Sequence, residues 1–310
     1  MRPLCLFLAA TFIIPLLTLS NLVACEPIRI LCINVRFSTA NDGENRWENR
    51  KEFMTEIVIE GNYDFIGTQE TLLHPSPEFN QKTYIASRLP GHGFYGRSRE
   101  VNPDIGEAMI LYYKRDRWRM DETDRETFWL SETPEVPGSR DADAAITRSV
   151  TAALFHEIRE GQPTGRRVYV YNTHFDHRGE LARQRAARFL MERIANRKDR
   201  EAPVILIGDI NSGERSPSVR YIQGETMVLG GVESVPPYRL VDTFRAVNPD
   251  AVNVGTFNGF RPVDTVWDGE KIDYIFVSPS FTTFSSEIIR THRNGRFPTD
   301  HFPIDAVVVW

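Results

Sequence analysis

Val204-Ile205-Leu206-Ile207 is a run of pure hydrocarbon that stops at Gly208-Asp209-Ile210-Asn211, a carboxylate followed two residues later by an amide. Charge at the end of a buried strand costs stability unless it is used. The same pattern recurs along the chain. Ile30-Leu31-Cys32-Ile33 leads into Asn34, Phe65-Ile66-Gly67-Thr68-Gln69 into Glu70, and Val168-Tyr169-Val170-Tyr171 into Asn172-Thr173-His174, while Asp300-His301 precede the terminal run from Ile304 to Val309. With Glu107 and Asp273, the polar set is Asn34, Glu70, Glu107, His174, Asp209, Asn211, Asp273, Asp300 and His301. Oxygen donors without cysteine suit a hard cation such as Mg²⁺, with Mn²⁺ as a substitute, rather than structural zinc. Two histidines among carboxylates suit proton transfer or stabilisation of an oxyanion, and neutral amides contact phosphate oxygens without adding repulsion. The combination fits cleavage of a phosphate ester by activated water.

Those residues need strands to carry them. Runs rich in β-branched and aromatic residues, separated by turn formers, predict strands over 28–34, 64–69, 107–113, 126–131, 148–158, 167–173, 203–208, 272–278 and 303–309. Helical spacing predicts helices over Trp47–Ile59, stopped by Gly61, and Glu180–Arg197. Many strands with few intervening helices argue against a doubly wound parallel sheet. The expected fold is α/β of the α+β kind, a four-layer αββα sandwich: two mixed sheets face to face, helices outside, and functional residues at one rim.

The start of the chain reads differently. Arg2 and the nearly uncharged stretch Leu4–Leu22 predict a secretory signal over residues 1–24, leaving one domain over 25–310. A retained membrane anchor is the alternative reading. Leu22-Val23-Ala24-Cys25 resembles a bacterial lipoprotein signal, which would put an acylated Cys25 on a membrane; ordinary cleavage after Ala24 or Cys25 is the plainer reading. The expected location is exported, periplasmic or extracellular. Cys5, Cys25 and Cys32 form no disulfide framework. A net charge of −5 lacks the broad basic face of a tight nucleic-acid binder. Arg183, Gln184, Arg185, Arg188 and Arg193 share one helix, read as a solvated face.

The ordered set Asn34, Gln69-Glu70, Asn172-Thr173-His174, Gly208-Asp209-Ile210-Asn211, Lys271-Ile272-Asp273-Tyr274-Ile275 and Thr299-Asp300-His301-Phe302-Pro303 resembles the endonuclease/exonuclease/phosphatase superfamily, the fold of pancreatic-type DNases. The likeness runs from about Ile28 to the C-terminus, and six motifs in order carry far more weight than any one. The resemblance implies Glu70 as principal metal ligand, with Asn34 and Asp300 helping to place the metal or its phosphate. It implies Asp209 orienting or deprotonating the attacking water and Asn211 holding that water or a phosphate oxygen. His174 and His301 then flank the scissile phosphate, with Glu107 orienting the first and Asp273 the second. The tyrosine-containing motif of abasic-site nucleases is replaced by Asn172-Thr173-His174, and no DNA-groove-binding loop is evident. Phe128-Trp129-Leu130-Ser131-Glu132-Thr133-Pro134 and Gly255-Thr256-Phe257-Asn258-Gly259-Phe260 resemble a bacterial secreted or lipoprotein branch.

The resulting expectation is a metal-dependent phosphodiesterase. Its rivals are a nuclease, a phospholipase-C-like esterase, a sugar- or inositol-phosphate phosphatase and a non-catalytic binding protein on the same scaffold. The substrate is thus nucleic acid, phospholipid or a small molecule, and no protein partner is inferred. Arg148 is read either as a substrate-phosphate ligand or as the partner of Asp141 or Asp143. Asp176 and His177 are read as loop-ordering groups, and Trp129 and Phe257 as core more readily than as walls of the site. Selectivity is assigned to loops near 36–46, 88–106, 212–237 and 255–268.

Overall fold

A computed structural model describes residues 26–310. The signal, anchor and Cys25 acylation expectations lie outside these residues. The strands are β1 (Ile28–Asn34), β2 (Phe65–Leu73), β3 (His92–Tyr95), β4 (Gly106–Lys114), β5 (Trp118–Trp129), β6 (Ser149–Arg159), β7 (Gln162–His174), β8 (Val204–Asp209), β9 (Met227–Leu229), β10 (Val232–Ser234), β11 (Val241–Asp242), β12 (Asp273–Val277), β13 (Thr282–Ile288) and β14 (Ile304–Val309). The helices are α1 (Trp47–Glu60), α2 (Gln81–Arg88), α3 (Glu180–Ala195), α4 (Pro217–Ile222) and α5 (Thr243–Val247). One six-stranded sheet runs β13-β14-β1-β2-β4-β3 and the other β11-β12-β8-β7-β6-β5, with β9 and β10 forming a separate hairpin.

Strand periodicity explains the four layers. In β8, Val204 and Leu206 point to the core under α3 and α4, while Ile205 and Ile207 point between the sheets. In β1, Ile30 and Cys32 face the same inter-sheet core, while Leu31 and Ile33 pack with Trp47, Met54 and Val58 of α1. Central strands buried on both faces read as continuous hydrocarbon, which is why they show in the sequence as apolar runs rather than alternating ones. The expected sandwich is the observed architecture.

Polar stitches cross the inter-sheet space near the site. Gln69 Nε2 donates to Asn172 Oδ1 at 2.7 Å, and Asn172 Nδ2 donates to the Thr68 and Ile110 carbonyls at 2.9 and 3.0 Å. The sheets approach so closely here that a Cβ on Gly67 would lie 2.6 Å from Ile207 Cγ2 and 3.1 Å from Asn172 Oδ1. Both amides are fully buried, so removing one strands the partners of the other. Asn172→Ala is therefore expected to cost about 3 kcal/mol of stability, read as a lower urea midpoint with unchanged slope.

Candidate active site

Register brings the chemistry together before any side chain is considered. Parallel pairing of β7 with β8 sets His174 opposite Asp209, and antiparallel pairing of β12 with β8 sets Asp273 opposite the same Asp209. In the other sheet, parallel β1 and β2 set Asn34 opposite Gln69. Glu70 comes next, where the β2–β4 register shifts between Thr68 and Thr71 and Glu70 itself takes φ 56°. A bulge re-aims a strand-end side chain, and a non-glycine residue in the left-handed region costs of order 1 kcal/mol. Asn211 does the same after β8, with φ 49°. Both unfavourable backbones carry side chains that line one cleft.

The two sheets meet at the rim. Asn34 Nδ2 donates to Glu70 Oε1 and to Asp209 Oδ2, each at 3.0 Å, while Asn34 Oδ1 accepts the Arg36 N–H at 3.0 Å. Thr299 donates to the Asn34 carbonyl at 2.7 Å, fixing Asp300-His301 against β1. Asp209 Oδ2 lies 3.3 Å from His174 Nε2 and 3.8 Å from His301 Nε2. His301 Nδ1 is 2.9 Å from Asp273 Oδ2, and Asn211 Nδ2 is 2.9 Å from His174 Nε2. His174, Asp209, Asn211 and His301 line a cleft of about 510 Å³ together with Glu70, Glu107, Arg148 and Asp300. Asp273 stands behind His301 rather than in the cleft wall.

Electrostatics divides the two imidazoles. Burial depresses His174 well below the usual histidine range, and Arg148 and Arg99 push it further, so it is neutral. Burial acts against the charged form of His301 as well, but Asp273 and Asp209 outweigh it and hold that ring well above the ordinary range. Asp209 is pushed up to about 7, first by burial and then by Asp273, against the opposing pull of His301 and the Asn34 amide. Asp300 is likewise raised, mainly by burial, with His301 opposing and Glu70 adding to the rise. The rim thus concentrates carboxylates faster than cations.

That donor set fits a hard divalent cation. Glu70 and Asp300 supply oxygen only and repel each other electrostatically, a conflict that a cation relieves. Asn34 holds Glu70 in place from one side and the Phe37 N–H, 3.3 Å from Glu70 Oε2, from the other. A second group of possible ligands is Asp209, Asp273 and His301, whose donor atoms all lie within 4.8 Å of one another. There both ring nitrogens of His301 already face carboxylates, so we read this group as a proton relay and the Glu70–Asp300 side as the cation cradle.

One sequence expectation needs correction, and one of two open alternatives is closed. Glu107 does not touch His174: its Oε1 accepts from Arg99 at 2.6 Å, and His174 Nδ1 has no partner among the described residues. A charge-assisted pair with a buried guanidinium outcompetes a neutral imidazole for the carboxylate. Arg148 pairs with neither Asp141 nor Asp143. Its Nη2 meets His177 Nδ1 at 3.1 Å and its Nε lies 3.7 Å from Asp176, while Asp141 is taken by Arg185. Because arginine only donates, His177 Nδ1 is the acceptor and its proton sits on Nε2. Burial works against the charged form of Asp176, but four backbone N–H groups, from Ala145, Ile146, Arg178 and Gly179, outweigh it and hold the carboxyl down to about 2. It orders the two loops that flank Arg148.

The basic face of α3 is spoken for: Arg185 pairs with Asp141, Arg193 with Glu126 and Glu135, and Arg188 with Glu192. Trp129 is core, 2% exposed, with its indole N–H on the Arg99 carbonyl; Phe257 is not. Arg50 was invisible as a site residue in the sequence. It is buried beneath the rim and donates to the carbonyls of Val35, Arg36 and Pro298, tying the loop after β1 to the segment before Asp300. Gln81 plays a similar part from α2, accepting from Ser38 and Leu72 and donating to the Arg36 carbonyl.

Comparison with known proteins agrees with this geometry. No curated protein matches the sequence at a significant level. Among solved structures, an endonuclease/exonuclease/phosphatase family protein of Bacteroides thetaiotaomicron superposes with a TM-score of 0.76 at 27% identity, covering 92% of this chain and 98% of that one. A mannosyl-6-phosphatase from the same organism gives 0.74 at 28% identity, covering 91% and 100%. The human nocturnin catalytic domain, solved with a bound sulfate, gives 0.67 at 16% identity over 91% and 94%, a likeness of fold alone. The family model for the endonuclease/exonuclease/phosphatase family matches residues 31–301, and the chain belongs to that family.

Proposed function

We propose that the protein is a divalent-metal-dependent hydrolase of phosphate esters, acting by in-line attack of water on phosphorus. The observation that carries this reading is Asp209 Oδ2 lying between two imidazoles, 3.3 Å from His174 Nε2 and 3.8 Å from His301 Nε2, in the lining of the cleft. Asp209 orients the water and takes its proton. With substrate bound, the Asn211 side-chain N–H leaves His174 Nε2 for a phosphoryl oxygen, and the neutral His174 in its Nε2–H tautomer donates to a second, stabilising their added charge. His301, kept charged by Asp273, protonates the departing oxygen. Glu70 and Asp300, with Asn34 beside them, would hold a divalent cation, which when bound would supply Lewis-acid neutralisation of the phosphate charge.

A phosphodiester is the narrower substrate reading, supported by the family resemblance in the motifs. A sugar phosphate monoester is a second reading, favoured by the 28% identity with the mannosyl-6-phosphatase over that protein's full length. Export, with or without acylation of Cys25, rests on residues 1–25 of the sequence. The test is a screen of purified protein with Mg²⁺ or Mn²⁺ against duplex and single-stranded DNA, RNA, phospholipids, bis-p-nitrophenyl phosphate and hexose phosphates. Hydrolysis that stops with EDTA is expected; no turnover of any ester would refute the reading. Steep loss of activity with rising salt would identify a nucleic-acid substrate, since phosphate contacts release counterions.

A further inference from the structure

Phe257 is 49% exposed and lines the cleft. Its exposure does not come from a loose loop. Phe257 forms a backbone bridge with His301, the Asn258 and Gly259 N–H groups donate to the Asp300 carbonyl at 2.8 and 2.9 Å, and Phe302 N–H donates to Thr256 at 2.7 Å. The ring meets the His301 imidazole edge-on, with centroids 5.2 Å apart and planes at 67°. Gly259 lies under it: at φ 56° a Cβ there would come within 3.2 Å of the Phe257 ring. A rigid backbone therefore holds an aromatic half in solvent beside the imidazole that faces the phosphate. Leaving it uncovered forgoes about 1 kcal/mol of burial.

We propose that Phe257 is a stacking platform for a sugar ring esterified to the phosphate, and so a determinant of which ester the cleft accepts; this rests on the phosphoesterase reading above. The π face is electron-rich and attracts the polarised C–H bonds on one side of a pyranose. The short distance from Phe257 to His301 selects a ring only a bond or two from the ester oxygen, as in a hexose 6-phosphate. The base of a 5′-nucleotide sits farther from its phosphate. Arg36 and Asp42, joined in a two-pronged pair, also line the cleft and offer donors and acceptors to ring hydroxyls. Planar charged groups of this kind bond hydroxyls in pairs.

The test compares wild type, Phe257→Ala and Phe257→Trp on mannose 6-phosphate, ringless glycerol 3-phosphate and AMP. Phe257→Ala is expected to lower kcat/KM for mannose 6-phosphate about tenfold more than for glycerol 3-phosphate, chiefly through KM, and Phe257→Trp to restore the difference. Equal losses on the two esters, or a selective loss confined to AMP, would overturn the assignment. Calorimetric binding of the same three compounds to wild type and Phe257→Ala separates the platform from the hydrolase reading. Tighter binding of mannose 6-phosphate that Phe257→Ala abolishes supports the platform even where no ester is turned over; equal binding to both proteins overturns it.

Discussion

Asp209→Asn is expected to eliminate turnover, by a factor of about 10³ or more, while the folded protein melts at or above the wild-type temperature. The loss follows from geometry. Asp209 Oδ1 accepts the Asn211 N–H at 3.0 Å and Oδ2 accepts the Asn34 amide at 3.0 Å, so both oxygens are held by donors and the carboxylate is aimed, not free to swing. An asparagine must turn its own NH₂ against one of those donors and has no basic lone pair for the proton of water. Removing a positioned general base accounts for about 10²–10⁴, and loss of the aligned water adds to it.

Stability moves the other way. Burial and Asp273 raise Asp209 to about 7 in the folded protein, against about 3.9 for an exposed aspartate. The folded state therefore binds a proton that the unfolded chain releases, and this group's contribution to stability falls as pH rises from about 4 to 7. Replacing it removes that penalty. The check is paired: steady-state rates with Mg²⁺, and thermal melting in EDTA at pH 5 and pH 8. The wild-type midpoint is expected to drop between those pH values by more than the variant's does. A variant that keeps its rate would take Asp209 out of the mechanism, and one that melts far below wild type would make its role structural.

The legible part of this molecule is the part where local composition carries the physics. Val204–Ile207 and Ile30–Ile33 had to be central strands because nothing else hides that much hydrocarbon, and an acid or amide directly after each could only stand at a sheet end. The sandwich followed from counting such strands. Elements with one thin buried stripe were missed. In β13, only Ser286 is fully buried, and in α2 only Gln81 and Ile85 are. Long-range pairing was harder still. Glu107 sits where an orienting carboxylate was expected, yet Arg99, eight residues earlier, captures it. Arg50 lies on α1 among Glu48, Asn49 and Lys51, where nothing distinguishes a solvated arginine from one bonded to four carbonyls. Gln69 and Asn172 were read as motif letters; only register shows that they are one inter-sheet pair. The bulge at Glu70 has no glycine or proline to announce it. Such breaks in local consistency are characteristic of functional sites.

That bulge is the basis of the second large effect. Glu70→Gln is expected to weaken binding of Mn²⁺ or Mg²⁺ by more than tenfold and to lower turnover by about 10² or more at moderate metal. The substitution keeps the side chain's length and leaves one oxygen for Asn34 Nδ2, the tighter of the two donors, while its NH₂ forfeits the longer bond from the Phe37 N–H. What disappears is the formal charge, which a hard cation needs more than it needs shape. The strained φ of 56° would be an unrewarded cost at an ordinary surface glutamate. Asp300 gives an independent readout: Glu70 contributes to its raised affinity for a proton, so neutralising Glu70 should lower the Asp300 carboxyl toward the ordinary range in metal-free protein. Calorimetric metal titration tests the affinity and carboxyl carbon NMR the Asp300 shift. Unchanged metal affinity in Glu70→Gln, together with its collapse in Asp273→Asn, would move the cation to the Asp209–Asp273–His301 group and turn the proposed relay into the cradle.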